Sequence, residues 1–181
     1  MNADKIYKKL TTIRDSQSAG IHLYENANIL FLHLSKCAGT SISKKLSSHF
    51  KEVPTEQIDF KKVSDNFDKY FSFTIVRNIY TKIVSQYNYE LQSNLHAMNF
   101  DSWLENVSKK VRIQGNNNCF SDYSNEYNEL SQKPFCLLDG QEYLSHVGRF
   151  ENLNTTANLL SKKTAVDISF PMLNKTNYKI K

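Results

Sequence analysis

Cations, a glycine and hydroxyls at two places in this chain are spaced to hold an anion. In the stretch ILFLHLSKCAGTSIS, residues 29–43, Lys36 precedes Gly39, Thr40 and Ser41. In FTIVRNIYTKIVSQY, residues 73–87, Arg77 precedes Ser85. A short turn with a lysine and a glycine, leading into hydroxyls at a helix start, is the make-up of a phosphate cradle. Backbone N–H groups at a helix N-terminus point at an anion, and the helix dipole favours negative charge there. Gly39 lets the backbone come close, and Lys36 adds a point charge. The spelling is not GxxxxGK[ST], the loop of nucleoside-triphosphate enzymes, because Lys36 comes three residues before Gly39. Phosphate-type binding is implied, and ATP hydrolysis is not. For this stretch taken alone, an ordinary strand–turn–helix with an incidental lysine is the competing reading.

Two buried strands must position these groups. Ile29–Leu34 and Phe71–Val76 are near-continuous apolar runs, as in parallel strands covered on both faces. Lys36 and Arg77 each follow the carboxyl end of such a strand, where α/β sheets bind ligands. After Lys36, Ile42, Leu46 and Phe50 recur at helical spacing, with Thr40 or Ser41 as the expected cap, and Pro54 ends the helix. After Arg77, Tyr80, Ile83, Val84, Tyr87 and Leu91 mark an amphipathic helix.

The remaining segments are weaker. Residues 1–20 read as a peripheral segment, and Ile21–Tyr24 as a short edge strand. Residues 51–70 read as irregular and polar. Phe100, Trp103, Leu104 and Val107 predict a helix capped by Asn99 or Asp101, and residues 115–118 a loop. Phe135–Leu138 and the stretch 146–150 predict strands, with Asp139-Gly140 as a turn between them. Leu153, Ala157 and Leu160 predict a last helix before a polar tail. Strands alternating with helices argue for an α/β fold, a P-loop-like three-layer arrangement with a central, mostly parallel sheet flanked by helices. The 181 residues suit one domain, 1–181.

Composition narrows the function. Lys+Arg 23 against Asp+Glu 18 leaves +5. The excess suits an anionic ligand, but it is dispersed, which argues against a nucleic-acid partner. Three cysteines, 37, 119 and 136, form no disulfide framework, which favours a reducing compartment; a Cys119–Cys136 bridge is the alternative. No apolar run reaches a membrane span, no signal-peptide core is present, and no metal-ligand cluster is found. A cytoplasmic location is the expectation, and a fragment of a membrane-anchored parent would read the same.

The two motifs together resemble the nucleotide-binding motif pair of PAPS-dependent sulfotransferases, most nearly the carbohydrate, family 2-like branch. HVGRFENL at 146–153 is similar to a late segment of that family, and PMLNKTNYK at 171–179 to its closing segment. The resemblance implies PAPS as donor, adenosine 3′,5′-bisphosphate as product, and a hydroxyl acceptor, of glycan type by analogy. It implies that Lys36, Cys37, Ala38, Gly39, Thr40 and Ser41 hold the 5′-phosphosulfate. Arg77 and Ser85 would hold the 3′-phosphate, with Lys175 of the closing segment as a further contact. Two positions depart from the family's pattern. Ile79 stands in place of its proline, and Lys82 in place of an arginine, keeping charge without the planar fork.

Transfer to a hydroxyl needs a base. Glu52 lies near the place where relatives carry a histidine and is the first choice. His33, just before the cradle, is the rival, while His96 and His146 read as structural. Arg149 and Glu151 read as a polar pair fixing the last helix. Tyr87, Tyr89, Trp103, Phe120 and Tyr123 are candidates for an acceptor groove, although their helical spacing fits core as well. Two other functions compete: a P-loop kinase-like enzyme, for which Asp139 is the only Walker-B-like residue, and a non-catalytic relative that binds nucleotide or a partner.

Overall fold

The computed structural model describes residues 2–16, 19–114 and 132–170. It is a mixed α/β structure with a central sheet of mostly parallel strands flanked by helices. The strands are β1 (Ala19–Tyr24), β2 (Ile29–Leu34), β3 (Phe71–Val76) and β6 (His146–Arg149), in the order β1-β2-β3-β6. β1 is the antiparallel edge strand, and β2, β3 and β6 run parallel. The carboxyl ends of the three parallel strands therefore share one edge, and Lys36 and Arg77 leave the sheet there.

The apolar runs fold as expected because both faces of β2 are covered. Ile29, Leu30, Phe31 and Leu32 are completely buried. His22, Phe31, Phe73 and His146 stand opposite one another in register, one residue per strand. Within this row His22 stacks on Phe31 at 5.5 Å and Phe31 on Phe73 at 4.7 Å between ring centroids. Gly148 is side-chain-free for a reason: a Cβ there would lie 2.3 Å from Thr156 Oγ1 of the last helix, α7 (Leu153–Thr164).

Several expectations need correction. The N-terminal segment is not peripheral. α1 (Ala3–Arg14), capped by the Asn2 side chain, buries Ile6, Leu10 and Ile13 completely and packs against β1 and α3 (Phe60–Asp65). α3 itself interrupts the stretch 51–70 expected to be irregular. It is too short to show a period, but Asp59 caps it, and Phe60 and Val63 are buried. α2 (Gly39–Ser47) is capped by neither Thr40 nor Ser41, because the preceding Ala38 turns the chain with φ 65° and α2 starts one residue early. Phe50 falls beyond its end. Phe135 and Cys136 belong to a one-turn helix, α6 (Lys133–Cys136), not to a strand. A two-residue hairpin follows, β4 (Leu137–Leu138) with β5 (Gln141–Glu142). Asp139 (φ 52°) and Gly140 (φ 80°) make its turn, with the two positive φ values that such turns require.

α4 (Ile79–Gln92) and α5 (Phe100–Gln114) fall where the periodicity places them, with Asn99 Oδ1 accepting from Ser102 N–H at the start of α5. No helix among the described residues is long and apolar enough to cross a membrane. Cys119 and residues 115–118 lie outside the described residues.

If α1 belongs to the core, Leu10→Ala should cost ~2–5 kcal/mol, as for other fully buried leucines. Urea unfolding of the full chain measures this, and a loss near zero would return the helix to the periphery.

Candidate active site

The turn between β2 and α2 is built from strained, non-glycine backbone. Lys36 has φ 59° and Ala38 φ 65°. A left-handed residue with a side chain costs about 1–2 kcal/mol, and such strain gathers at ligand sites. Left-handed residues within a turn aim successive N–H groups into one concavity, an anion-binding shape. α2 then starts without a side-chain cap. Cys37, 1% exposed, lies inside this turn, and burial pushes its thiol up to about 11. It packs the loop and is no nucleophile at neutral pH.

Gly39 is fixed by contact with His33. A Cβ on Gly39 would lie 1.7 Å from His33 Cδ2 and 1.8 Å from Nε2. The helix start therefore rests directly on the imidazole edge.

The second motif is tied to the first by hydrogen bonds. Arg77 Nη1 donates to the Lys36 carbonyl at 3.1 Å, and Nε donates to Thr81 Oγ1 at 3.2 Å. The guanidinium lies over the Phe150 ring, 4.1 Å from its centroid. Asn78 caps α4 by accepting from Tyr80 N–H and Thr81 N–H, and its own N–H donates to Glu151 Oε1 at 2.8 Å. Phe150 and Glu151, in the segment expected to hold the last helix, thus support Arg77 and Asn78. The expected Arg149–Glu151 pair is replaced by this contact, because the start of α4 offers Glu151 a backbone donor.

Gln132 is a site residue that sequence reasoning missed. Its Oε1 accepts from Arg77 N–H at 2.6 Å, and its Nε2 donates to the Arg77 carbonyl at 2.8 Å. The amide imitates a neighbouring strand just where β3 ends. No local pattern marks a glutamine for that task.

α4 presents its polar side to the interior. Lys82, Ser85 and Gln86 are buried, at 0%, 5% and 4% exposure, while Tyr80, on the predicted apolar stripe, is 76% exposed. Gln86 Oε1 accepts from Ser35 Oγ at 3.4 Å, and its Nε2 donates to Glu90 Oε1 at 2.9 Å. Glu90 Oε2 in turn accepts from Trp103 Nε1 at 2.6 Å. The Lys36 ammonium sits over the Tyr89 ring, 3.9 Å from its centroid, a cation–π contact. Trp103 is 2% exposed and packs with Tyr87, His96 and Phe100. It belongs to a buried aromatic cluster, not to an open groove. Phe120, Tyr123 and Lys175 lie outside the described residues.

Both candidate bases meet at one place through a residue not singled out in the sequence. His33 Nδ1 is 3.2 Å from His22 Nε2, and His22 Nδ1 is 2.7 Å from Glu52 Oε1. Glu52 Oε2 accepts from Ser47 Oγ at 2.9 Å and from the Tyr24 hydroxyl at 3.4 Å. Each Glu52 oxygen is therefore engaged. Burial, and then the neighbouring His22, pushes the His33 imidazole down to about 4. His146, the other end of the aromatic row, bonds Thr156 Oγ1 at 2.9 Å and is structural.

A histidine titrating lower in the folded chain binds protons more readily once unfolded, so it weakens the fold as pH drops from about 6.5 toward about 4. Unfolding titrations at pH 7 and pH 5 should show a loss of stability that is smaller in His33→Gln. Equal losses in both proteins would assign the acid lability elsewhere. Gly39→Ala should cost ~1–3 kcal/mol by overpacking against His33, and an unchanged urea midpoint would mean that the ring moves aside freely.

No curated protein and no solved structure matches the chain. The model of the Sulfotransferase family matches residues 21–181. The matched span holds the strained turn, Arg77 and α4, the supporting Phe150 and Glu151, and the Glu52–His22–His33 chain. On that match, the chain belongs to the sulfotransferase family.

Proposed function

We propose that this chain moves a sulfuryl group from PAPS to a hydroxyl acceptor, a carbohydrate by its resemblance to that branch of the family. The observation that carries this reading is the hydrogen bond from Arg77 to the Lys36 carbonyl. It ties the two segments read here as anion-binding to each other, which supports a nucleotide with phosphates at both its 5′ and 3′ positions. The strained turn and the uncapped start of α2 fit the 5′-phosphosulfate, which supplies the activated sulfuryl group.

In this reading Lys36 and the N–H groups of Cys37, Ala38, Gly39, Thr40 and Ser41 hold the 5′ end. Lys36 also offsets charge that builds on the departing phosphate oxygen. Arg77 binds the 3′-phosphate by its fork, and Ser85 by its hydroxyl. Lys82, buried on the same helix face, adds positive charge beside them, and Lys175 is assigned from the resemblance. Tyr89 holds the Lys36 ammonium in place. His33 takes the proton of the acceptor hydroxyl, since its edge lies against the start of α2. Glu52 is one residue removed behind His22, which favours His33 over Glu52 for that role.

Adenosine 3′,5′-bisphosphate should bind in calorimetry and raise the melting temperature, where ATP with magnesium should not. Arg77→Lys should weaken that binding ~10–100-fold, through loss of charge-assisted hydrogen bonds worth ~1.5–3 kcal/mol. Lys36→Ala should abolish transfer from labelled PAPS. Preference for ATP would favour a kinase-like enzyme, and nucleotide binding without transfer to any of a panel of mono- and polysaccharides would favour a non-catalytic relative.

A further inference from the structure

His22 lies between Glu52 and His33, and the chemistry of its two neighbours dictates where its proton sits. An ionised carboxylate only accepts hydrogen bonds. Glu52 Oε1 at 2.7 Å therefore requires the hydrogen of His22 on Nδ1. Neutral His22 then has a lone pair on Nε2. The atom facing it, His33 Nδ1 at 3.2 Å, must donate. That leaves the lone pair of neutral His33 on Nε2, the ring atom that lies against Gly39 at the start of α2. A carboxylate thus fixes the tautomer of a histidine with which it shares no contact.

The fold holds this order by several independent contacts. Val53 pairs with Leu23 in an isolated bridge, which brings Glu52 to β1. Ser47 and Tyr24 hold the second carboxylate oxygen, so the first stays on His22. The His22 and His33 rings stack on each other at 5.4 Å and both stack on Phe31, at 5.5 Å and 5.8 Å. A half-turn of the His22 ring would keep that packing but would take Nδ1 from Glu52 and Nε2 from His33. The arrangement also has a second consistent state. With His22 protonated, both of its nitrogens donate, and His33 carries its hydrogen on Nε2.

We propose that His22 is a positioning residue that keeps the lone pair of His33 on Nε2 and receives the His33 Nδ1 proton when His33 acts. The step rests on the reading of His33 as base. As the acceptor oxygen attacks sulfur and the sulfur–phosphate oxygen bond breaks, the O–H proton passes to His33 Nε2. The His33 Nδ1 proton moves to His22 Nε2. His33 stays neutral, and the positive charge ends on His22 against the Glu52 carboxylate.

The test begins with nitrogen NMR of the full chain carrying ¹⁵N-histidine at pH 7, the five histidines assigned by single substitutions. His22 and His33 should both show hydrogen on Nδ1 and a bare Nε2, and Glu52→Ala should release both from that tautomer. A hydrogen on His33 Nε2 in the wild type, or a His33 spectrum indifferent to Glu52→Ala, overturns the proposal. His22→Phe keeps the ring stack and removes the nitrogens. It should lower kcat for transfer from labelled PAPS at least 10-fold, with KM for PAPS and affinity for adenosine 3′,5′-bisphosphate unchanged, and His22→Gln should restore part of the loss. Full turnover in His22→Phe, with His33→Phe inactive, sinks the role of His22 alone. Full turnover in His33→Phe removes the base and this proposal with it. A wild type that fails to bind adenosine 3′,5′-bisphosphate refutes the sulfotransfer reading separately, since the NMR arm still reports the tautomers.

Discussion

The arrangement of this site depends on a contact that one missing side chain permits. Gly39 has no Cβ, so the first turn of α2 rests on the His33 ring at a distance no other residue would allow. His33 is fixed in turn by its place in β2 and by the rings of His22 and Phe31. The backbone donors of the helix start and the imidazole are thereby held at one mutual position. Residues 35–38 must connect the strand end to that helix start, and the path they take uses left-handed backbone at Lys36 and Ala38.

Around this contact the protein spends polar groups where a core would use apolar ones. The interior side of α4 carries Lys82, Ser85 and Gln86. A buried amine, hydroxyl and amide need hydrogen-bond partners, and Gln86 finds them in Ser35 and Glu90. Of the apolar residues that gave the helix its periodicity, Tyr80 and Leu91 are exposed while Ile83, Val84 and Tyr87 are half-buried, and Tyr89 uses its exposed ring to hold the Lys36 ammonium. On the sheet side the row His22–Phe31–Phe73–His146 crosses all four strands, with its first three rings stacked in turn. Two of its members are histidines, and the one at the β1 end links Glu52 to His33.

The parts of this design that were legible in the sequence are local. β2 and β3 are largely apolar runs, and Lys36, Gly39 and Arg77 follow their ends. The presence of α4 and α5 followed from spacing, although α5 runs on past Val107 to Gln114. The orientation of α4 did not, because hydrophobic periodicity assumes that only the apolar face turns inward, whereas α4 also buries Lys82, Ser85 and Gln86. α3 has too few residues for a period to show. His22, Glu52 and Gln132 act through partners 30 and 55 residues away in sequence. Such pairs depend on strand register and on the path of the chain after α2, neither of which is written in local composition. The two bases weighed as rivals are linked for the same reason.

The strained turn has a consequence for when its conformational entropy is lost. Lys36 and Ala38 adopt their backbone angles with side chains attached, held by Arg77 on the Lys36 carbonyl and by the His33 ring beneath Gly39. The disorder of those residues is given up once, as the chain folds, and not again at each encounter. A turn set in advance gains affinity for whatever it holds without a single added contact.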